Sequence, residues 1–166
     1  MAVDSTAKLT IFNGRTSDST RTKICASEAK CGKYTFSENG ITEIYKVRNH
    51  TKPQLLIVLT LANGKQLRLT YTHLLYRITL DGLQLIRAEQ LSVGDQLRTW
   101  DDSGISIEAI ESCSGHVSDI YTSDSKLSIH GVILSCYDYD ERRAQIANLG
   151  RRLLNALSSR LANLAA

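Results

Sequence analysis

The chain has 166 residues, 42% of them hydrophobic, which is enough for one domain with a buried core and too little for two full ones. Its 20 Lys and Arg stand against 17 Asp and Glu, and the resulting charge of +3 is small and evenly spread, so no nucleic-acid partner is expected. No apolar run approaches the roughly 18 to 20 residues of a membrane span, and Met1-Ala2-Val3-Asp4 has no basic-then-apolar signal layout, so the chain as given reads as a soluble monomer.

From residue 8 to about 134, short β-rich runs are broken by turn signals at Asn13-Gly14, Glu38-Asn39-Gly40, Asn63-Gly64, Asp81-Gly82, Asp101-Asp102-Ser103-Gly104 and Ser123-Asp124-Ser125. Turns recurring at this rate predict an all-β unit. The clearest hairpin joins residues 55–61 to 66–70 through Asn63-Gly64, a pair suited to the two positive-φ positions of a type I′ turn. After Asp140 the texture changes: Ile146, Leu149, Leu153, Leu154, Leu157, Leu161 and Leu164 are spaced by three and four, with arginines between them. That spacing predicts an amphipathic helix over 140–166, capped by Asp140 and weakened at Gly150, following a domain over 1–139.

The β region also repeats itself. Thr35-Phe36-Ser37-Glu38-Asn39-Gly40-Ile41-Thr42 matches Thr99-Trp100-Asp101-Asp102-Ser103-Gly104-Ile105-Ser106, and Lys65-Gln66-Leu67-Arg68-Leu69 with Leu74 matches Ser125-Lys126-Leu127-Ser128-Ile129 with Leu134. One gapped duplication, giving two β subdomains about a pseudo-two-fold axis, accounts for both.

The residues able to do chemistry follow the hairpin. In Thr70-Tyr71-Thr72-His73 a hydroxyl and an imidazole can reach one point, the imidazole to move a proton near neutral pH and the hydroxyl to hold a backbone amide. The 4 cysteines, Cys25, Cys31, Cys113 and Cys136, form no Cys-x-x-Cys pair and have no His at zinc-ligand spacing, so neither metal nor cofactor is expected.

These segments, taken in order, resemble the Hint family, the self-processing domains shared by inteins and Hedgehog C-terminal regions. Asp4-Ser5-Thr6-Ala7-Lys8-Leu9 followed by Asn13-Gly14 is similar to its opening strand, and Thr70-x-x-His73 to its Thr-x-x-His motif. Leu91-Ser92-Val93-Gly94-Asp95-Gln96-Leu97 resembles its Leu-x-Val-Gly-Asp segment, and Ser135-Cys136-Tyr137 the end of the Hedgehog branch's last strand. The resemblance spans roughly residues 2–140 and implies an almost wholly β horseshoe with pseudo-two-fold duplication. It also implies autocatalytic chemistry. A Cys at the domain's first position attacks the preceding carbonyl and converts a peptide bond to a thioester, and a second nucleophile removes the acyl group. By the same resemblance Thr70 holds the scissile amide, His73 is its general acid, and Cys136 lies near the initiating residue, able to pair or exchange with it.

Three departures qualify what the resemblance implies. Ala2 stands where the initiating Cys is expected, so the chain as written should not self-cleave. Either Cys was changed to Ala behind a start Met, the reading we prefer, or the natural domain has lost its nucleophile. Counting back from His73 to the Asp that serves the Hedgehog branch as base for a sterol hydroxyl lands on Val47; His50, and then Glu43, are the substitutes, which leaves sterol, another lipid alcohol, water or a thiol as acceptor. No His-Asn pair closes the chain, which argues against intein-type splicing.

The substrate is then the chain's own N-terminally fused polypeptide. The 140–166 helix either packs on the β unit or meets lipid and membrane, and the full-length precursor is expected in the secretory pathway or outside the cell. Asn49-His50-Thr51 is a glycosylation sequon, and Cys25 and Cys31 fall where the first subdomain should carry its own version of the Leu-x-Val-Gly-Asp segment, as a disulfide staple or as free thiols. The alternative is a non-enzymatic Hint-fold module that binds a partner.

Overall fold

The computed structural model describes residues 2–16 and 20–136; the expected helix over 140–166 and the domain boundary at 139 lie outside them. The first half comprises β1 (Val3–Asp4), β2 (Lys8–Phe12), β3 (Arg21–Cys25), a single 3-10 turn (Ala26–Glu28), β4 (Lys33–Ser37), β5 (Gly40–Asn49), β6 (Gln54–Leu61) and β7 (Gln66–Thr70). The second comprises β8 (Leu74–Thr79), β9 (Gly82–Arg87), another 3-10 turn (Ala88–Gln90), β10 (Gln96–Leu97), β11 (Ile105–Gly115), β12 (Val117–Thr122), β13 (Lys126–Ile129) and β14 (Val132–Ser135). The strands form one open sheet in the order β13-β14-β8-β10-β11-β6-β7-β1-β12-β5-β4-β2-β3, with β9 on β8. The all-β expectation holds.

Backbone hydrogen bonds reveal the duplication more sharply than side chains do. In the first half Ala7 N donates to Asp4 O (2.9 Å) and Ala26 N to Ala7 O (2.8 Å); in the second His73 N donates to Thr70 O (2.9 Å) and Ala88 N to His73 O (2.8 Å). Ala26 and Ala88, each opening a 3-10 turn, are both fully buried. Further on, Gly32 N donates to Ile44 O and Gly94 N to Ile107 O, both at 2.8 Å. Cys31-Gly32 is therefore the first half's counterpart of Val93-Gly94, as the sequence suggested. Asp95 completes the second copy by accepting from Ser92 N (2.8 Å) and pairing with Arg77 (3.3 Å).

The halves exchange arms. The long strand β5 pairs with β12 of the other half, and its equivalent β11 pairs with β6. Neither half can bury its apolar face alone, so β6 shows four consecutive buried residues (56–59) and β12 is buried along its whole length. Each leucine so buried contributes about 1.5–3 kcal/mol.

The β6–β7 hairpin forms in the expected register, closed by a different turn. Of Asn63 and Gly64 only Gly64 takes a positive φ (+74°), whereas type I′ needs two. Gly64 N bonds Leu61 O (2.8 Å), Leu61 N bonds Lys65 O (2.9 Å), and Asn63 Oδ1 accepts Lys65 N (3.0 Å). The Asn side chain spends itself on this local bond, giving a three-residue loop of the turn-plus-bulge kind.

Candidate active site

Strand β1 is threaded between β7 and β12, with Val3 opposite both Leu69 and Ser118. This delivers residue 2 to the turn that follows β7. That turn is pinned at its back, since Tyr71 O and His73 O accept from Glu89 N (3.0 Å) and Ala88 N (2.8 Å) of the second 3-10 turn. With its backbone fixed, the turn presents two side chains to Ala2.

Thr70 grips Ala2 from both sides of its backbone: Ala2 N donates to Thr70 Oγ1 (3.4 Å), and Ala2 O accepts from Thr70 N (3.1 Å) and Thr70 Oγ1 (3.3 Å). His73 Nδ1 lies 3.2 Å from the same carbonyl. A carbonyl only accepts, so Nδ1 carries the hydrogen and Nε2 is the bare nitrogen. Nε2 is buried with no hydrogen-bond partner among the described residues. Burial, and after it the charge of the chain's amino terminus, pushes the imidazole pKa down to about 3, against the smaller raising effects of its bond to Ala2 O and of the Asp119 charge. At neutral pH His73 is uncharged.

His73 shares a cavity of about 10 Å³, room for roughly one water, with Val3, Ser118 and Cys136. Cys136 Sγ accepts from Thr122 Oγ1 at 3.4 Å, and burial pushes its thiol pKa up to about 12, so it is held as a neutral thiol. All four cysteines are free; Cys25 accepts from Lys8 Nζ (3.1 Å) rather than meeting Cys31.

His50 caps β5 in a neighbouring cluster. Its Nε2 is 2.7 Å from Asp119 Oδ2, and Gln54 Nε2 donates to its Nδ1 at 3.3 Å, which leaves the proton on the nitrogen facing the carboxylate. Asp119 is buried on β12 and its charge acts on His73 as well, so it joins the two clusters. Sequence reasoning missed it. The available signal was a lone carboxylate inside the short strand Val117–Thr122, since a carboxylate is rarely buried without a task. Val47 faces Ile120, one residue along β12 from Asp119, and packs on the core. Glu43 pairs instead with exposed Arg15 (3.5 Å), roughly 20 Å along β5 from His50. Asn49 of the sequon is occupied, donating to Ser27 O (3.0 Å) and accepting from Ser118 Oγ (2.7 Å).

Thus Ala2, Thr70 and His73 meet, Cys136 lies across a small cavity from His73, and His50 joins them through Asp119, while Glu43 stands apart.

No family model matches the sequence, and no curated protein matches it. Solved structures do. The crystal structure of the gp41-1 intein is 19% identical over 81% of this chain and 97% of its own, with a TM-score of 0.64. The transcription factor IIB Mvu mini-intein is 16% identical over 81% and 98% (TM-score 0.67), and a DnaB intein from Synechocystis sp. PCC 6803 is 18% identical over 81% and 98% (TM-score 0.61). At such identities the likeness defines the fold, and this chain has the Hint fold of those inteins.

Proposed function

We propose that this chain is a self-processing domain of the Hedgehog-like Hint type, acting once on the polypeptide fused before residue 2. With Cys at position 2, its sulfur attacks the carbonyl carbon of the preceding residue; the C–S bond forms and the C–N bond to residue 2 breaks. The thiol proton passes by way of His73, a weak base that its depressed pKa makes a strong acid once charged, to the departing nitrogen, while Thr70 Oγ1 holds that nitrogen's N–H. A small nucleophile, whether sterol, another lipid alcohol, water or thiol, then takes the acyl group. Its proton leaves to the Asp119–His50 pair as the thiolate departs. In this reading Cys136 is the thiol placed to pair or exchange with position 2. The segment 140–166 is the acceptor- or membrane-facing extension, and the precursor belongs to the secretory route.

The observation that supports this reading is the double grip of Thr70 and His73 on residue 2. The test restores Cys at position 2 behind a short fused peptide and adds dithiothreitol or hydroxylamine. Release of the peptide is expected, and His73→Ala should slow it by about 10²–10⁴. No release from the Cys-restored, folded protein leaves the binding-module reading in its place. Joining of flanking segments instead of release would point to splicing.

A further inference from the structure

A second site lies away from these residues, in a groove of about 710 Å³ that falls within the range of small-ligand pockets. Phe36 and Trp100, which occupy equivalent places in the internal repeat, both line it and are unusually open for their size, at 39% and 65% exposure. Trp100 is anchored by its backbone N–H to Gly131 O (2.9 Å), and a Cβ at Gly131, where φ is +87°, would lie 3.6 Å from the indole Cδ1. The turn thus supports the ring while leaving it open to the groove.

The groove is also lined by cations. Lys8 and Lys23 project from adjacent strands, Lys8 opposite Cys25 and Thr10 opposite Lys23, which makes the two lysines diagonal neighbours; Lys65 comes from the β6–β7 loop. Lys23 and Lys65 make no ion pair among the described residues, and both charges, after burial, act to lower the pKa of His130, a further lining residue of the groove. The groove's own acid, Glu38, is already taken by Arg98 (2.6 Å) and Lys126. Three cations lining one groove suit a compact polyanion better than carboxylates strung along a peptide, and exposed aromatic rings beside them suit a flat ring.

We propose that this groove binds a nucleoside di- or triphosphate, the phosphates on Lys8, Lys23 and Lys65 and the base against Trp100 and Phe36. Trp100 is the single tryptophan, so its fluorescence reports on the groove directly. In the full chain, ATP should quench it saturably, at least tenfold more tightly than adenosine or inorganic tripolyphosphate. The Lys23→Gln/Lys65→Gln pair should weaken binding at least tenfold while leaving the circular dichroism spectrum unchanged, and radiolabelled ATP in equilibrium dialysis should report the same loss. Four outcomes overturn the proposal: no saturable binding of ATP by either method, equal binding of adenosine or tripolyphosphate, indifference to the lysine pair, or an oligoglutamate peptide that binds as tightly as ATP.

Discussion

The turn Asp4-Ser5-Thr6-Ala7 and the turn Thr70-Tyr71-Thr72-His73 share one backbone design and differ in what their side chains are left to do. Each closes with a bond from its fourth residue to its first, and each passes its last carbonyl to the opening alanine of a 3-10 turn. In the first copy Asp4 turns inward on its own loop: Oδ1 accepts Thr6 N (2.9 Å) and Thr6 Oγ1 (2.8 Å), and Oδ2 faces Arg68 (3.6 Å). Ala7 offers nothing further. Both loops are tied down from behind by their 3-10 turns, Ser27 N on Ser5 O and Glu89 N on Tyr71 O, each at 3.0 Å, but in the second copy Thr70 and His73 are free to hold residue 2. Duplication thus supplied two equal scaffolds, and only the second leaves its side chains unspent on its own loop.

The largest expected difference between the copies is in pH dependence. Burial holds the His73 pKa down at about 3 in the folded chain, against about 6.5 for an ordinary histidine, so between those limits the unfolded chain binds the extra proton. Its stability contribution is intact above pH 6.5 and falls as pH drops, by about 1.4 kcal/mol per pH unit, levelling off below pH 3. Urea unfolding from pH 7 down to 4.5 should show this slope in the parent and a shallower one in His73→Gln. Equal slopes would mean the second turn holds no buried neutral imidazole.

Asp4→Ala should act on stability and leave cleavage nearly alone. It strips two local hydrogen bonds made by a buried carboxylate and should cost about 1–3 kcal/mol by urea denaturation. In the Cys-restored protein it should change the cleavage rate by less than roughly tenfold, far less than His73→Ala. If it abolished cleavage in a folded protein, the functional distinction between the copies would fail. Smallest of all, Arg68→Ala removes the 47%-exposed partner of Asp4 and should cost under about 1 kcal/mol.

How much of this was legible beforehand depended on sequence distance. The hairpin could be read because Asn63-Gly64 and its flanking runs are contiguous, although the turn type could not, since Asn63 had a local hydrogen bond to make instead. The duplication showed in Phe36 and Trp100 beside their acidic turns, and the pairing of Thr70 with His73 lay within four residues. The arm exchange and Asp119 were hidden. Asp119 reaches His50 only through the register of β12 on β5, a pairing across 69 residues that no local pattern encodes. For the same reason counting along the chain led to Val47, while the carboxylate arrives on the neighbouring strand.

The state of the His73 ring tests the central claim most directly. Nitrogen-15 spectra of the full chain should show Nδ1 protonated and Nε2 bare at neutral pH, with no charge gained until pH approaches about 3. A ring that titrates near the ordinary histidine value of about 6.5, or that carries its neutral-state proton on Nε2, would contradict it.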